Sequence, residues 1–351
     1  MRAHPPTHGR WLQRFVWATA AATLFLICSG GMVTSKGVGL AVPDWPTTFG
    51  YNMFLFPVSQ WVEGIFFEHT HRLIASAVGM LTIVLAVWLW RVKERRCLRM
   101  LGWIALGAVI LQGVLGGLRV TMLKDEIGIF HACLAQGFFG LLVFIGVARS
   151  RWWQNAGAEA RVRATTVLRL AIVTTLLIYL QLALGATMRH QHRDLAILDF
   201  PMAYGQAIPD VSDAALARVN EWRNAQALSE VTAGQIWLQM AHRLVAFLIA
   251  AGVIWFWSAL RRHAYAPDAV LKTLSTLWFF FLACQIALGA WTIWSNKAAD
   301  VATAHVAVGA TMLALGISIS AMTARLAATS PGVVRQAGRS EVALPEKAHA
   351  L

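Results

Sequence analysis

The pentapeptide His71-Arg72-Leu73-Ile74-Ala75 recurs 171 residues later as His242-Arg243-Leu244-Val245-Ala246, and each copy is followed by a further histidine at the head of an apolar run, His131 and then His305. Two imidazoles facing each other across a helix bundle at matched depth can ligate a heme iron axially, with the macrocycle lying between the helices. Ionisable side chains within or at the rim of a membrane are costly and face the bundle interior, which makes such histidines functional candidates. A lone histidine in this setting reads better as an interhelical hydrogen-bonding group. Four of them, repeated pairwise, point instead to two sites of heme size.

The residues around the two pairs differ at one position. Glu68 stands three residues before His71 and on the same helical face, whereas the matching residue before His242 is Gln239. A carboxyl beside a bound macrocycle can transfer protons or stabilise developing positive charge, and its plainer role would be to hold a nearby arginine. Arg72 and Arg243 have the fork geometry that pairs with carboxylates such as heme propionates, although snorkelling toward the interface explains them equally well. His69 points to another face of its helix and reads as an interfacial residue touching water or a neighbouring loop. His190 and His192 in an outer loop, and His4, His8, His263 and His349 in cytoplasmic segments, read as solvated. Gln112, Gln181 and Gln285 each precede a Leu-Gly pair and suit close helix packing with an interhelical hydrogen bond.

The elements that must position these groups are transmembrane helices. Of 351 residues 58% are hydrophobic and 13% charged, and the apolar residues fall in blocks long enough to cross a bilayer core of about 30 Å. Eight spans are predicted, at 15–34, 69–90, 101–118, 128–148, 167–186, 236–260, 271–294 and 301–323. The net charge of +13 is topological: twenty of the 30 Lys and Arg lie in the N-terminal tail, the 91–99, 149–169 and 261–272 connections and the C-terminal tail. Short basic loops stay inside, so both termini are expected in the cytoplasm and no nucleic-acid partner is needed to explain the charge. A cleaved signal peptide is the competing reading of the first span. Its removal would break the internal repeat, so the helix is expected to stay, and the short segment before it favours a bacterial cell membrane. Cys28, Cys97, Cys133 and Cys284 offer no outer-loop pair for a disulfide, and the chain has no CxxCH for covalent heme attachment.

The repeat extends beyond the histidines. Leu40-Ala41-Val42-Pro43-Asp44-Trp45-Pro46-Thr47-Thr48-Phe49-Gly50 matches Leu195-Ala196-Ile197-Leu198-Asp199-Phe200-Pro201-Met202-Ala203-Tyr204-Gly205, and the second half carries extra residues mainly in 206–235. The predicted fold is therefore an all-α integral membrane protein whose eight helices form two repeated four-helix bundles, related by a pseudo-two-fold along the membrane normal. The expected organisation is a cytoplasmic tail over 1–14, an N-terminal bundle over 15–150, a linker over 151–166, a C-terminal bundle over 167–325 and a tail over 326–351.

Glu68-His69-Thr70-His71-Arg72-Leu73, the Pro43-Asp44-Trp45-Pro46 loop, His131, His242-Arg243 and His305, set on two four-helix repeats, resemble the heme A synthase family of cytochrome oxidase assembly over about residues 15–325. The resemblance implies oxidation of the C8 methyl group of heme O to a formyl group, by successive hydroxylations to a geminal diol and then dehydration. It implies that His242 and His305 ligate a resident heme b, that His71 and His131 mark the substrate heme site, and that Glu68 is the catalytic carboxylate. Arg72 and Arg243 are then expected to serve the substrate and cofactor hemes respectively. The implied partners are the heme O substrate, the heme O-producing enzyme, a separate electron donor and the lipid bilayer. Some relatives carry a cysteine pair in the first outer loop. This chain has none, which removes any thiol-dependent role there.

Two other classes share parts of the pattern. A diheme electron-transfer protein of cytochrome b type would need the same four histidines but not a carboxylate beside one pair alone. A transporter would call for helices broken at the midplane.

The charge distribution places the loops at 35–66, 119–127, 187–235 and 295–300 on the outer face, so all four histidines share one side of the membrane. A membrane-impermeant thiol reagent should label cysteines introduced at Ser212 and Asn296 from outside, and those at Arg95 and Ala158 only after permeabilisation. Labelling that puts the two halves in opposite orientations would break the paired-site reading.

Overall fold

The computed structural model describes residues 7–156, 164–191, 195–262 and 268–328. Eight of its helices are long and apolar enough to cross a bilayer. They are α1 (Thr7–Ser35), α2 (Glu63–Arg91), α3 (Arg96–Met122), α4 (Asp125–Arg149), α6 (Ala164–Gln191), α8 (Ala233–Ala259), α9 (Ala269–Trp294) and α10 (Ala299–Ala328). A short α5 (Arg151–Asn155) follows α4, and α7 (Asp213–Ala225) lies in the longer outer segment of the second half. Each spanning helix is continuous through its length.

Backbone polar groups in lipid must be satisfied within the helix, and the ends are finished by side chains or local turns. At α8 Thr232 and Gln235 form a reciprocal capping box. The Asp268 carboxylate accepts from the Val270 and Leu271 amides at the start of α9. α3 closes on Leu123 in the left-handed conformation.

Helices α1 to α4 pack in a cycle, each against its sequence neighbours and α4 back on α1. Helices α6, α8, α9 and α10 repeat that cycle, and the two groups meet where α10 contacts α1 and α4 and where α6 contacts α4. The central position of α10 shows in its burial: 56% of its apolar window is inside the protein, against 17% for α3 and for α9. The outer faces of α3 and α9 carry Trp103, Ile104 and Ile110, and Phe280, Ile286 and Trp291, all exposed and suited to lipid.

Close approach at the centre depends on small residues. A Cβ on Gly316 of α10 would lie 2.6 Å from Thr175 Oγ1 on α6 and 3.1 Å from the Trp278 ring on α9. Trp278 is fully buried, and its indole N–H donates to the Met312 carbonyl at 3.0 Å. At the end of the bundle away from the histidines, Arg149 Nε pairs with Glu94 Oε2 at 2.8 Å.

The helices outrun the predicted spans. α1 begins at Thr7, inside the segment read as a tail, and α2 begins at Glu63, so the histidines stand about two turns within their helices rather than at the helix heads. Hydropathy marks the part of a helix in lipid and not the turns that project beyond it. Part of the 151–166 linker, most of the C-terminal tail, and His4, His192, His263 and His349 lie outside the described residues.

Candidate functional site

The connections that follow α1 and α6 fold into the same turn. Asp44 accepts hydrogen bonds from the Phe49 and Gly50 amides at 2.8 and 2.9 Å, and Asp199 accepts from Tyr204 and Gly205 at the same distances. Phe49 and Tyr204 take matching positive φ values of 51° and 52°, followed by Gly50 and Gly205 at 78° and 74°. Both turns contain a cis X-Pro bond, Trp45-Pro46 and Phe200-Pro201. Burial alone would raise the Asp44 carboxyl, but the Gly50 amide, the Thr47 hydroxyl and the Phe49 amide outweigh it and hold the group below its ordinary value.

Each turn is clasped by the first half of the following membrane helix. Glu68 Oε2 accepts from the Val42 amide at 2.9 Å. In the second half Gln239 grips the equivalent Ile197 twice, its Oε1 accepting from the amide at 2.9 Å and its Nε2 donating to the carbonyl at 3.0 Å. Arg72 donates to the carbonyls of Val42, Asp44 and Thr47, and to Glu68 Oε1 at 2.6 Å. Arg243 donates to the carbonyls of Asp199, Pro201 and Met202. The terminal nitrogens of both arginines are thus engaged by protein carbonyls, and Glu68 holds both an arginine and a loop amide.

The long segment of the second half adds a buttress. Arg223 of α7 is fully buried and donates to Leu195 and Ala196 carbonyls at 3.0 and 3.3 Å and to Ser229 at 2.7 Å. Ile197, Ala203, Val231 and Ile236 form a small apolar core beneath it.

Below the clasped turns, each of the four histidines lies against a glycine of an adjacent helix. A Cβ on Gly30 of α1 would stand 2.9 Å from His71 Cε1, and one on Gly116 of α3 would stand 3.3 Å from His131 Cε1. In the second half the corresponding distances are 3.4 Å for Gly185 of α6 to His242 and 3.2 Å for Gly289 of α9 to His305. Nδ1 is buried without a hydrogen-bond partner in all four rings. His71 is within electrostatic reach of His131, and His242 of His305.

These features fit axial ligation of a macrocycle in each half. A ring seated on each glycine with its Nδ1 buried would offer Nε2 to an iron. Among the described residues no group of three or more His, Cys, Asp or Glu side chains is placed to chelate a bare ion, which bis-histidine ligation does not require. Gln285 Nε2 approaches His305 Nε2 at 3.4 Å across α9 and α10, as an interhelical contact would. Gln112 and Gln181 leave Oε1 buried and unpartnered.

Of two further histidines, His69 meets the loop alternative of its expected setting and His190 departs from expectation. His69 is fully buried and touches the loop rather than water: its ring packs 5.1 Å from Phe56 and 4.7 Å from Trp61, and Nδ1 lies 3.3 Å from Thr48 Oγ1. His190, expected in a solvated loop, is carried inward by α6, which runs on to Gln191, and its ring comes within 2.7 Å of where a Cβ on Gly128 would sit. Three of the four shelves were visible as the spacing Gln112 to Gly116, Gln181 to Gly185 and Gln285 to Gly289. Nothing in the sequence tied those glycines to the histidines.

A family model described as cytochrome oxidase assembly protein matches residues 13–317, and the chain belongs to that family. A protein of Shouchella clausii named heme A synthase is 26% identical over 287 residues, covering 79% of this chain and 85% of its own length. Proteins of the same name from Lysinibacillus sphaericus and Geobacillus kaustophilus are also 26% identical, over 265 and 315 residues, covering 73% and 84% of this chain and 77% and 86% of their own lengths.

The clasp has a measurable weight. Gln239→Leu should leave the buried amide and carbonyl of Ile197 without partners and destabilise the second outer turn by about 1–3 kcal/mol. Hydrogen exchange at Ile197 should then quicken about tenfold or more. Unchanged protection there would show that other contacts hold the turn.

Proposed function

We propose that this chain is a heme A synthase, oxidising the C8 methyl group of heme O to a formyl group by successive hydroxylations during cytochrome oxidase assembly. The family match and the name shared by the relatives support the reaction. The observation that carries the division of labour is the one chemical difference between the two clasps: Glu68 where the second half has Gln239, beside otherwise equivalent histidine pairs. On this reading His71 and His131 hold the substrate heme and His242 and His305 hold a resident heme b. The two halves are related by a pseudo-two-fold along the membrane normal, with both termini in the cytoplasm of a bacterial cell.

A resident heme b supplies one-electron transfer when bound. The chain's own residues do the rest of the work: the glycine shelves orient the imidazoles, and the clasped outer turns cover the sites and exclude water. Glu68 brings an ionisable group to the rim of the first site alone. Arg72 and Arg243 act on the hemes through the turns they hold. The electrons come from a separate donor and the substrate from the heme O-producing enzyme.

Glu68→Gln separates the carboxyl from the loop contact. Glutamine at the equivalent position already accepts from the equivalent amide, so the variant keeps the Val42 clasp and loses the ionisable carboxyl with its ion pair to Arg72, which retains its three carbonyl partners. It should retain heme b, accumulate heme O or a hydroxylated product, and lose heme A formation by a hundredfold or so if the carboxyl works as a general acid or base. Near-normal heme A from this variant would make Glu68 purely a loop anchor.

Replacing His242 or His305 with Ala should remove one low-spin heme signal from the purified protein and lower its thermal stability, because ligand bound to the folded state stabilises it. Extraction of heme B together with heme O and heme A from the wild type would support the synthase. Heme B alone would favour an electron carrier.

A further inference from the structure

Two arginines break the repeat on the histidine side of the bundles. Counted from the paired glycine shelves, Arg119 on α3 corresponds to Thr292 on α9, and Arg189 on α6 corresponds to Thr34 on α1. Each half therefore contributes one cation that the other half lacks, and the structure brings both to the boundary between the bundles.

Arg119 Nη2 and Nη1 lie 3.0 and 3.1 Å from where a Cβ on Gly39 would sit, and its Nε lies 3.3 Å from the same point on Gly128. The His190 ring reaches within 2.7 Å of that Gly128 point from the opposite bundle. Gly128 precedes His131 by three residues on α4, hence on one face of the helix. Arg119 is within electrostatic reach of His71 and His131. Arg189 stands behind it, donating to the Gly31 carbonyl at 2.5 Å and to the Ser35 hydroxyl near the end of α1.

Among the described residues the Arg119 guanidinium makes no hydrogen bond or ion pair, and the acids within its reach are Glu68 and Asp125. Glu68 is already committed to Arg72 and Val42. A guanidinium at the rim of an apolar bundle without a close counter-ion is costly, and Arg189 beside it adds repulsion. A carboxylate accepting two parallel N–H bonds is the ligand that best relieves this arrangement.

We propose that Arg119, flanked by His190 and backed by Arg189, is the seat for a propionate carboxylate of the heme bound between His71 and His131. This rests on the reading of the first half as a heme site. It assigns the carboxylate-binding role to a residue outside the repeat, since Arg72 spends its terminal nitrogens on the outer turn. It also gives Arg119 a part in selecting the reacting methyl. The C8 methyl of the macrocycle shares its pyrrole ring with a propionate, so a carboxylate pinned at Arg119 keeps that methyl near the seat, and Glu68 is within electrostatic reach of the same arginine. Pinning one edge removes the alternative orientations that would present a different methyl.

The test uses the full chain, purified in detergent with its second-half heme in place, and follows uptake of one further equivalent of iron protoporphyrin IX or of its dimethyl ester by the Soret band. Arg119→Gln should weaken binding of the free acid about tenfold or more and leave the ester unchanged. Arg119→Lys, which keeps the charge without the fork, should weaken the free acid less and again spare the ester. The spectrum of the resident heme reports folding, and if Arg119→Gln loses it, Arg119→Lys is read on the same pair of ligands. Equal effects on acid and ester, or no effect on either, would overturn the seat. Unaltered uptake by His71→Ala would overturn the first-half heme site itself, and the seat would fall with it.

Discussion

The contact on which the rest of this protein depends is that between an imidazole ring and a helix face lacking a side chain. A histidine inside a membrane bundle needs a fixed orientation, and lipid offers neither water to solvate it nor a hydrophobic force to press helices together. Gly30, Gly116, Gly185 and Gly289 answer both needs. Each lets its helix come close enough for the ring of the neighbouring helix to rest on backbone, and the resulting approach fixes the spacing of α1 to α2, α3 to α4, α6 to α8 and α9 to α10. The four buried Nδ1 atoms follow from the same packing.

The turns after α1 and α6 meet a related problem at the membrane rim. A loop there carries amides and carbonyls that must be paired, and each half pairs them with the membrane helix that bears its first histidine. Glu68 and Arg72 do this for residues 42–47, and Gln239 and Arg243 for residues 197–202. The loop and the histidine are therefore mechanically coupled through less than one helical turn. The second half is further stiffened by Arg223 of α7, whereas the first uses an aromatic cluster of Phe56, Trp61 and His69. A neutral amide and a carboxylate both accept from the equivalent loop amide, and only the carboxylate also pairs with the arginine of its own helix.

Departures from the repeat are as informative as the repeat. Glu68, Arg119, Arg189 and His190 have no like residue at the matching position, and the first two lie within electrostatic reach of each other. Duplication of a four-helix unit provides two similar sites, and a few ionisable replacements at one edge are sufficient to make them unlike.

The sequence by itself determined the fold class, the eight spans, the internal repeat and the four histidines. Those features are written in local composition and in spacing along the chain, which hydropathy and periodicity read directly. It also exposed the Glu68 and Gln239 difference, because equivalent positions can be compared without coordinates. Tertiary structure decided what each polar group touches. Arg72 and Arg243 looked free to meet a ligand, yet their partners are carbonyls up to 44 residues away in sequence, and no local pattern encodes which loop folds back over a helix. His190 looked solvated because hydropathy fades before α6 ends, while the helix continues and packs against a glycine of α4. The glycine shelves were visible as small residues, but which ring rests on which glycine is set by the crossing of two helices, and that is a property of the packed bundle alone.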